Sequence, residues 1–425
     1  MTDSTPDPQQ VEHSRTPERV VIVGGGLAGA GTAVALREQG YTGSIVLFAA
    51  ENHVPYDRPP LSKAYLKGEA TADEGEVKPA DWYAEHDVDL RLGTAVTAVD
   101  PDAHQVMSTD GGRTAYDRLV IATGASPRRV DLPGSDLGGV VTLRTVEDSD
   151  ALRAALEAKA RIVIIGAGWI GLEVASAARA ADASVTVLES AEQPLLGVMG
   201  ATLGGFFADL HREHGVDLRL GVQVASIEAA EGRRKVGAVV LADGTSIPAD
   251  LVLVGIGATP NTDLALTARL DVDNGILVDA QGRSSNPDVF AVGDVANAET
   301  PSFGERLRVE HWANALDRPE SVARGVLGQE GGFDKLPFFY SDQYDLGLEY
   351  SGHASADSEI VVRGDLAAKE FLVFWLDGDV VRAGMNVNIW DVQDDIQALI
   401  TARTPVDRAR LADPDVPINA SAATP

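Results

Sequence analysis

Short runs of branched apolar residues recur along the chain, and two of them begin the same pattern. The run Arg19–Val23 leads through a glycine-rich loop and an alanine-rich helical stretch to a second run, Ser44–Phe48. The same order recurs from Arg161–Ile165 to Ser184–Leu188. Uninterrupted apolar runs that alternate with helical periodicity are typical of buried parallel strands. The pattern therefore predicts two β-α-β units and an internal duplication.

Other stretches predict antiparallel structure. Residues 87–100, 105–108 with Asp110-Gly-Gly, and 218–227 with Ala242-Asp-Gly are typical of hairpins. Past Phe333 aromatic residues gather, strands alternate, and a helix is predicted from Asp391 to Arg403, which together indicate an α+β domain. The proline-rich end from Pro405 is expected to be either a wrapping segment or a loose tail.

Each predicted strand-to-helix junction carries a G-x-G-x-x-G loop. Because 43 of the 425 residues are glycine, one match would be weak, but two matches, each between a strand and a helix, are strong. In this fingerprint the first glycine permits the turn, the second lets a pyrophosphate approach, and the third packs helix against strand. The residues in these roles are Gly24, Gly26 and Gly29, then Gly166, Gly168 and Gly171.

An acidic residue at the end of the second strand binds the adenosine ribose and repels the 2′-phosphate of NADPH. Glu189 holds that position, and no arginine or lysine follows at 190–193, so the second loop predicts an NADH site. In the first unit Glu51 stands a couple of residues later than usual, which leaves its contact with a ribose open. A solvated strand-end carboxylate is the alternative for Glu189. Two sites in one oxidoreductase predict one flavin and one nicotinamide.

Charge and cysteine content narrow the function. The formal charge of −29 opposes binding to nucleic acid and to anionic membranes, and the polar first 17 residues lack a signal-peptide core. We therefore expect a cytoplasmic protein with no membrane, nucleic-acid or metal partner site. The sequence contains no cysteine, so it holds neither a redox-active thiol nor a cysteine-ligated cluster. Electrons would leave from the flavin itself.

Longer segments resemble the FAD-dependent NADH:ferredoxin reductases of bacterial oxygenase systems, in order from about Arg19 to Pro417. The resemblance implies FAD and NADH as cofactors and a small iron–sulfur protein, a 2Fe–2S ferredoxin, as partner. Tyr340 departs from it, since the family usually has tryptophan there, and Gly197 replaces a frequent arginine. The segments that carry it are Val54–Lys63, Ile121–Arg128, Gly255–Asn261, Val289–Asp294, Glu310–Ala315 and Tyr340–Asp345.

The resemblance also implies which residues bind the cofactors. Around FAD they are Gly24, Gly26, Ala28, Gly29, Ala50, Glu51, Arg58, Lys63, Val96, Ala122, Thr123, Gly124, Arg128, Gly293, Asp294 and Trp312. On the nicotinamide side they are Gly166, Gly168, Ile170, Gly171, Glu189 and Gly257. Surface positions for the two arginines and a core position for the tryptophan are the alternatives.

Three residues are implied to be catalytic: Lys63, Glu173 and Trp312. The resemblance places Lys63 beside the flavin, where an ammonium favours the anionic reduced form. A buried lysine is costly without a partner, so Glu173 is its expected partner. Trp312 is expected near the stack of nicotinamide and flavin.

The predicted fold is α/β, with two Rossmann-like dinucleotide-binding domains in a glutathione-reductase-like flavoprotein architecture and a C-terminal α+β domain. The expected division is a disordered tail at 1–17, a discontinuous FAD-binding domain at 18–127 and 259–330, an NAD-binding domain at 128–258, and the C-terminal domain at 331–425.

Three functions fit these expectations. The leading one is an NADH:ferredoxin reductase that serves a Rieske-type or haem monooxygenase. The others are an NADH:rubredoxin reductase and an NADH-responsive interaction flavoprotein resembling apoptosis-inducing factor. Because such ferredoxins are typically acidic, a confined basic patch is expected, with Arg318 and Arg324 as its candidates on the helix after Trp312.

Overall fold

The structure is a computed structural model that describes residues 16–422. Residues 1–15 and 423–425 lie outside the described part, and with them most of the predicted tail at 1–17. The chain forms two compact units. The first comprises the residues up to Asp57, Asp73–Ser126 and Pro260–Lys335, and the second comprises Arg58–Ala72, Pro127–Thr259 and the residues from Leu336 onward.

This grouping differs from the expected domain division in one respect that concerns the site. Residues 58–72, expected within the FAD-binding domain, pack with the second unit. Residues 127–259 and the chain from Leu336 belong to that same unit. The division into two dinucleotide-binding domains and a C-terminal domain stays a prediction.

The helices and strands of the described chain are as follows. The helices are α1 Leu27–Glu38, α2 Ala80–Glu85, α3 Val146–Glu157, α4 Trp169–Ala180, α5 Leu196–Glu213, α6 Asp263–Thr267, α7 Trp312–Val326, α8 Gln393–Ala402 and α9 Arg408–Ala412. The strands are β1 Arg19–Val23, β2 Ser44–Phe48, β3 Val88–Arg91, β4 Val96–Asp100, β5 Gln105–Ser108, β6 Arg113–Ala115, β7 Arg118–Ile121, β8 Ala125–Pro127, β9 Val140–Val141, β10 Arg161–Ile165, β11 Ser184–Leu188, β12 Asp217–Arg219, β13 Val224–Ala229, β14 Val236–Leu241, β15 Ser246–Pro248, β16 Leu251–Val254, β17 Ala258–Pro260, β18 Ile276–Val278, β19 Val289–Ala291, β20 Ala296–Thr300, β21 Glu305–Arg308, β22 Phe338–Gln343, β23 Leu346–Gly352, β24 Glu359–Asp365, β25 Glu370–Asp377 and β26 Val380–Val387.

The first unit is built on a five-stranded parallel sheet in the order β19-β7-β1-β2-β3. β1 lies at its centre, and residues 20–23 are buried because both faces of the sheet are covered. Helix α1 follows β1 and packs against α7, where Gly31 approaches Pro319 closely. Smaller sheets of β4, β5 and β6 and of β18, β20 and β21 complete the unit. The first predicted β-α-β unit is confirmed.

The second unit contains a parallel sheet in the order β12-β11-β10-β16-β9 and an antiparallel sheet of β13, β14 and β15. The chain from Leu336 adds a five-stranded antiparallel sheet in the order β22-β23-β26-β25-β24. Helix α8 packs on β26. One hydrophobic cluster joins the two parts and includes Phe207 of α5 and Trp375 of β25. The second β-α-β unit and the C-terminal α+β fold are confirmed.

The predicted turns at Asp110-Gly-Gly and Ala242-Asp-Gly do join antiparallel strands, β5 with β6 and β14 with β15. The expected hairpins within residues 87–100 and 218–227 are wrong. Within residues 87–100, β3 pairs in parallel with β2 whereas β4 pairs with β5. Within residues 218–227, β12 pairs in parallel with β11 and β13 pairs with β14. Each stretch therefore joins two different sheets. A local alternation of apolar residues gives the strands but not their partners, which lie far along the chain.

The C-terminal end is a wrapping segment, one of the two alternatives. The guanidinium of the buried Arg363 on β24 donates hydrogen bonds to the carbonyl oxygens of Leu411, Pro414 and Val416. The N–H of Val406 donates to the Asp379 carbonyl oxygen. Among residues 16–422, none of the helices has both the length and the apolar character needed to span a bilayer.

Candidate functional site

The first glycine loop is shaped by two close backbone contacts. Gly24 has φ +124°, and a Cβ there would lie 2.1 Å from the Ala122 carbonyl oxygen. A Cβ on Gly29 would lie 1.9 Å from the Gly24 carbonyl oxygen. Gly26 is different, because a Cβ there would meet no atom within 4 Å. Since Gly26 is the N-cap of α1, the loop leaves space for an anion at a helix N-terminus.

Further predicted residues surround this loop. Ala28 on α1 is buried, and its Cβ lies 2.9 Å from the position of a Cβ on Gly293. Gly293 and Asp294 begin a 3₁₀ turn directly after β19, the strand at the edge of the same sheet. The carboxyl ends of parallel strands and the loop therefore meet at one edge, where nucleotides bind in α/β folds.

Asn261 ties the segment after β7 in place, although it was not among the predicted site residues. Its carbonyl oxygen accepts a hydrogen bond from Thr123 Oγ1 at 2.8 Å, and its Nδ2 donates to the Thr123 carbonyl oxygen at 2.8 Å. Its N–H donates to the Gly124 carbonyl oxygen at 2.9 Å. The signal in the sequence was its place at the end of the segment Gly255–Asn261.

The remaining residues expected around FAD are more dispersed. Ala50 is exposed just past β2, and Val96 is half-buried at the start of β4. The Glu51 carboxylate accepts a hydrogen bond from the Tyr56 hydroxyl at 2.6 Å. Arg58 belongs to the second unit, where its guanidinium donates to the Arg144 carbonyl oxygen.

Trp312 begins α7 in the first unit. Its indole Nε1–H donates to Asp57 Oδ1 at 3.2 Å, which orients the ring. Burial raises the pKa of the Asp57 carboxyl, and this hydrogen bond opposes the increase. Asp57 was not among the predicted site residues; its signal in the sequence was its place within the segment Val54–Lys63.

The second glycine loop repeats the close contacts of the first. Gly166 has φ +103°, and a Cβ there would lie 2.4 Å from the Gly255 carbonyl oxygen. A Cβ on Gly171 would lie 2.3 Å from the Gly166 carbonyl oxygen. Gly168 is the N-cap of α4. The same backbone shape therefore occurs at both predicted phosphate sites.

A cavity of about 570 Å³ opens at this loop, and Gly166, Gly168, Glu189 and Gly257 are among the residues that line it. Glu189 is the only charged side chain among the described residues that line the cavity. Its Oε2 accepts the N–H of Ala167 at 2.7 Å, so the carboxylate is held against the loop. An adenosine ribose in this cavity would meet an acid and no cation.

The rim of this cavity is apolar, which the sequence did not indicate. Val198 and Ile256 line the cavity yet are 50% and 38% exposed. Ile170, predicted to bind the cofactor, is 43% exposed on α4 and does not line the cavity.

Arg128 is exposed, and its N–H and Nε donate to the carbonyl oxygens of Gly257 and Ala258 at 2.9 and 3.1 Å.

Lys63 and Glu173 form a buried ion pair in the second unit. The Lys63 Nζ lies 2.7 Å from Glu173 Oε2, with the two side chains 13% and 4% exposed. The structure therefore confirms the expected pairing of these two residues. Ser62 and Ser341, which were not predicted, also donate to the Glu173 carboxylate.

The predicted basic patch of Arg318 and Arg324 is wrong. Arg318 is 2% exposed, donates to Asn314 Oδ1 and lies over the Phe333 ring, and burial lowers its pKa to about 10. Arg324 is half-buried and pairs with Glu320 at 2.5 Å. Six residues turn a helix by about 600°, so the two side chains point about 120° apart and cannot share a face.

Comparisons with known proteins agree with this arrangement. The family described as Pyridine nucleotide-disulphide oxidoreductase matches residues 18–318, and the Reductase C-terminal family matches residues 338–422. Putidaredoxin reductase of Pseudomonas putida is 42% identical over 94% of this chain and 96% of that protein. The 5,5'-dehydrodivanillate O-demethylase ferredoxin reductase subunit of a Sphingobium strain is 42% identical over 94% of this chain and 97% of that protein. Among solved structures, the covalent putidaredoxin reductase–putidaredoxin complex matches with a TM-score of 0.91 and 41% identity, covering 94% of this chain and 97% of that chain.

Proposed function

The chain belongs to the pyridine nucleotide-disulphide oxidoreductase family, and from that premise we propose that it is an NADH-dependent flavoprotein reductase whose electrons pass through FAD to a 2Fe–2S ferredoxin. The ferredoxin would serve an oxygenase, as the names of the relatives indicate for those proteins. One NADH and two oxidised ferredoxins give NAD⁺, two reduced ferredoxins and one proton.

The observation that carries this choice is a pair of nucleotide loops on a chain without a single cysteine. Family members that reduce disulfides need a thiol pair, and this sequence offers none. FAD, when bound, accepts electrons as a pair and releases them singly. A one-electron acceptor such as a 2Fe–2S ferredoxin is therefore the partner that the residues support.

In the first unit, the geometry of the glycine loop and of the sheet edge fits the binding of a dinucleotide such as FAD. The open space at Gly26 and the N-terminus of α1 would take the pyrophosphate. Asp294, at the edge of the same sheet, would accept a hydrogen bond from the ribityl chain. Trp312, oriented by Asp57, would face the nicotinamide side of the flavin.

NADH would bind in the cavity at the second loop. Glu189 would accept hydrogen bonds from the adenosine ribose, and the exposed Val198 and Ile256 would lose contact with water against the dinucleotide. Since NADH is drawn from the cytoplasmic pool, we also propose a cytoplasmic location. Cell fractionation in which the protein sediments with membranes would contradict it.

Ferredoxin-dependent reduction of cytochrome c by NADH tests the function. We expect rapid reduction only when a 2Fe–2S ferredoxin is added, because the flavin must pass single electrons to a carrier. Equal rates with rubredoxin would shift the assignment to a rubredoxin reductase. A long-lived charge-transfer complex with little turnover would instead support an interaction flavoprotein and overturn the proposal.

A further inference from the structure

Two buried serines share the Glu173 carboxylate with Lys63. Glu173 Oε2 accepts from Lys63 Nζ at 2.7 Å and from Ser62 Oγ at 2.5 Å, and Oε1 accepts from Ser341 Oγ at 2.7 Å. Ser62 and Ser341 are 4% and 1% exposed. The donors come from a 3₁₀ turn at Pro59–Ser62, the residue after it, and β22. Both oxygens of the Glu173 carboxylate therefore accept hydrogen bonds from side chains of the protein.

We propose that Ser62 and Ser341 are positioning residues that fix the Glu173 carboxylate and, through it, the ammonium of Lys63. The inference rests on the proposed function and on the position of Lys63 beside FAD that the family resemblance implies. A buried ion pair is stable only when further hydrogen bonds satisfy its remaining acceptor sites. With one serine on each oxygen, the carboxylate cannot turn about its axis without losing a hydrogen bond.

Other groups around Lys63 are consistent with a fixed ammonium. The Tyr340 ring centroid lies 5.5 Å from its Nζ, within the range of a cation–π contact. A cavity of about 380 Å³ is lined by Lys63 and Glu173 together with the charged residues Lys67 and Asp342. Burial raises the pKa of the Asp342 carboxyl, Glu173 adds to the increase, and Lys63 and Lys67 oppose it. The charges at this cavity are thus coupled to one another.

The cluster joins the two sequence families found in the chain. Ser62, Lys63 and Glu173 lie in residues 18–318, whereas Ser341 lies in residues 338–422. The C-terminal segment therefore supplies a hydroxyl that completes the arrangement around Glu173. On this proposal, the segment contributes to the electrostatics of the flavin site as well as to the fold.

The test is the flavin midpoint potential of the FAD-loaded full chain, titrated chemically with neither NADH nor ferredoxin present. We expect Ser341→Ala and Ser62→Ala each to lower the potential, and the double variant to lower it further, because a released carboxylate draws the ammonium away from the flavin. Flavin reduction at saturating NADH should slow several-fold with KM unchanged. Ser176→Ala is the matched control, since this buried serine lines the same cavity but bonds to the Tyr344 N–H.

Ser341→Thr keeps the hydroxyl and should keep the native potential. The proposal is overturned if the threonine variant shifts as far as the alanine variant, or if both single alanine variants keep the native potential with FAD bound. Circular dichroism melting identifies any variant that fails to fold. If the double variant does not fold, the two single alanine variants and Ser341→Thr decide the outcome. Absence of ferredoxin reduction by the native protein would refute the proposed function but leave these potentials readable.

Discussion

At the scale of single residues, we propose that the choice between NADH and NADPH depends on Glu189. As the only charged side chain among the described residues lining its cavity, it would repel a 2′-phosphate that finds no cation there. We expect kcat/KM for NADH to exceed that for NADPH at least tenfold, about 1.4 kcal/mol. Steady-state kinetics with both cofactors measures this ratio, and equal use of the two would refute the assignment.

Variants of Glu189 separate its charge from its hydrogen bond. Glu189→Gln removes the charge but can still accept a hydrogen bond from the Ala167 N–H, so the loop should keep its shape. The ratio of kcat/KM for NADH to that for NADPH should decrease. The double variant Glu189→Ala with Glu192→Arg should decrease this ratio further, because it adds a cation at the exposed position 192. Glu231→Gln, in an exposed turn that does not line the cavity, is the control and should leave the ratio unchanged.

At the scale of elements, the glycines of one loop do different things. Gly29 allows α1 to pack against the loop that follows β1, since a Cβ would lie 1.9 Å from the Gly24 carbonyl oxygen. Gly26 has φ −87° and open space in front of it, so alanine fits there as far as the protein is concerned. We therefore attribute the need for glycine at position 26 to the ligand, and the need for glycine at position 29 to packing within the protein.

Substitution by alanine tests this separation. Gly26→Ala should fold normally and bind FAD at least tenfold more weakly, because the methyl group would stand where the pyrophosphate approaches. Gly29→Ala should lose stability whether or not FAD is bound. Gly205→Ala in α5, where a Cβ meets nothing within 4 Å, is the control. Thermal melting and fluorescence titration with FAD measure both effects, and unchanged FAD affinity of Gly26→Ala would remove the ligand explanation.

At the scale of the whole molecule, a buried histidine links the second glycine-loop region to the C-terminal sheet. His211 on α5 is fully buried, and its ring nitrogens lie 2.9 Å from Gln343 Oε1 and 3.0 Å from the Tyr344 hydroxyl. Burial lowers its pKa to about 4, and the hydrogen bond with Gln343 opposes the decrease. The folded protein therefore keeps this ring neutral at pH values where the unfolded chain protonates it.

The consequence is a loss of stability on acidification. Above pH 6.5 the ring is neutral in both states, and between about pH 6.5 and 4 only the unfolded chain gains the proton. The free energy of unfolding should fall by up to about 3 kcal/mol over this window, at about 1.4 kcal/mol per pH unit. Denaturant titrations at pH 7 and 4.5 should show a smaller fall for His211→Gln than for His86→Gln, whose ring is exposed. Equal falls would contradict the role of His211.

The net charge of −29 governs the approach of an acidic ferredoxin. Some exposed cations are paired within the described chain, as in Lys335 with Asp317 and Arg234 with Asp136. Long-range attraction should therefore be absent. Raising the ionic strength from about 0.01 to 0.15 M shortens the screening length from about 30 to 8 Å, so the second-order rate constant should rise several-fold.

Stopped-flow measurements at saturating NADH test this salt dependence, with an uncharged quinone acceptor as the control. A rate constant for ferredoxin that falls with salt would show electrostatic steering by a basic patch. Such a patch would have to include cations other than Arg318, which is buried.

The local elements could be predicted from the sequence because they depend on neighbours in the chain. Apolar runs and glycine spacing predicted β1, β2, β10 and β11 at the observed bounds. Sheet partners could not be predicted in this way: the expected hairpins at 87–100 and 218–227 separate into different sheets. Strand alternation identifies a buried face, whereas the partner depends on packing among distant segments.

For the site, the sequence by itself determined the two glycine loops between strand and helix, the position of the acid Glu189 and the lack of any thiol, because these follow from residue type at fixed spacing. The pairing of Lys63 with Glu173 was expected only through a family resemblance, since the two are far apart in sequence. Only the tertiary structure decided that Ser62 and Ser341 share the same carboxylate, that Asp57 holds Trp312, and that Arg318 points inward. The direction of a side chain and its partners depend on which distant segments pack together, and one-dimensional spacing does not contain that information.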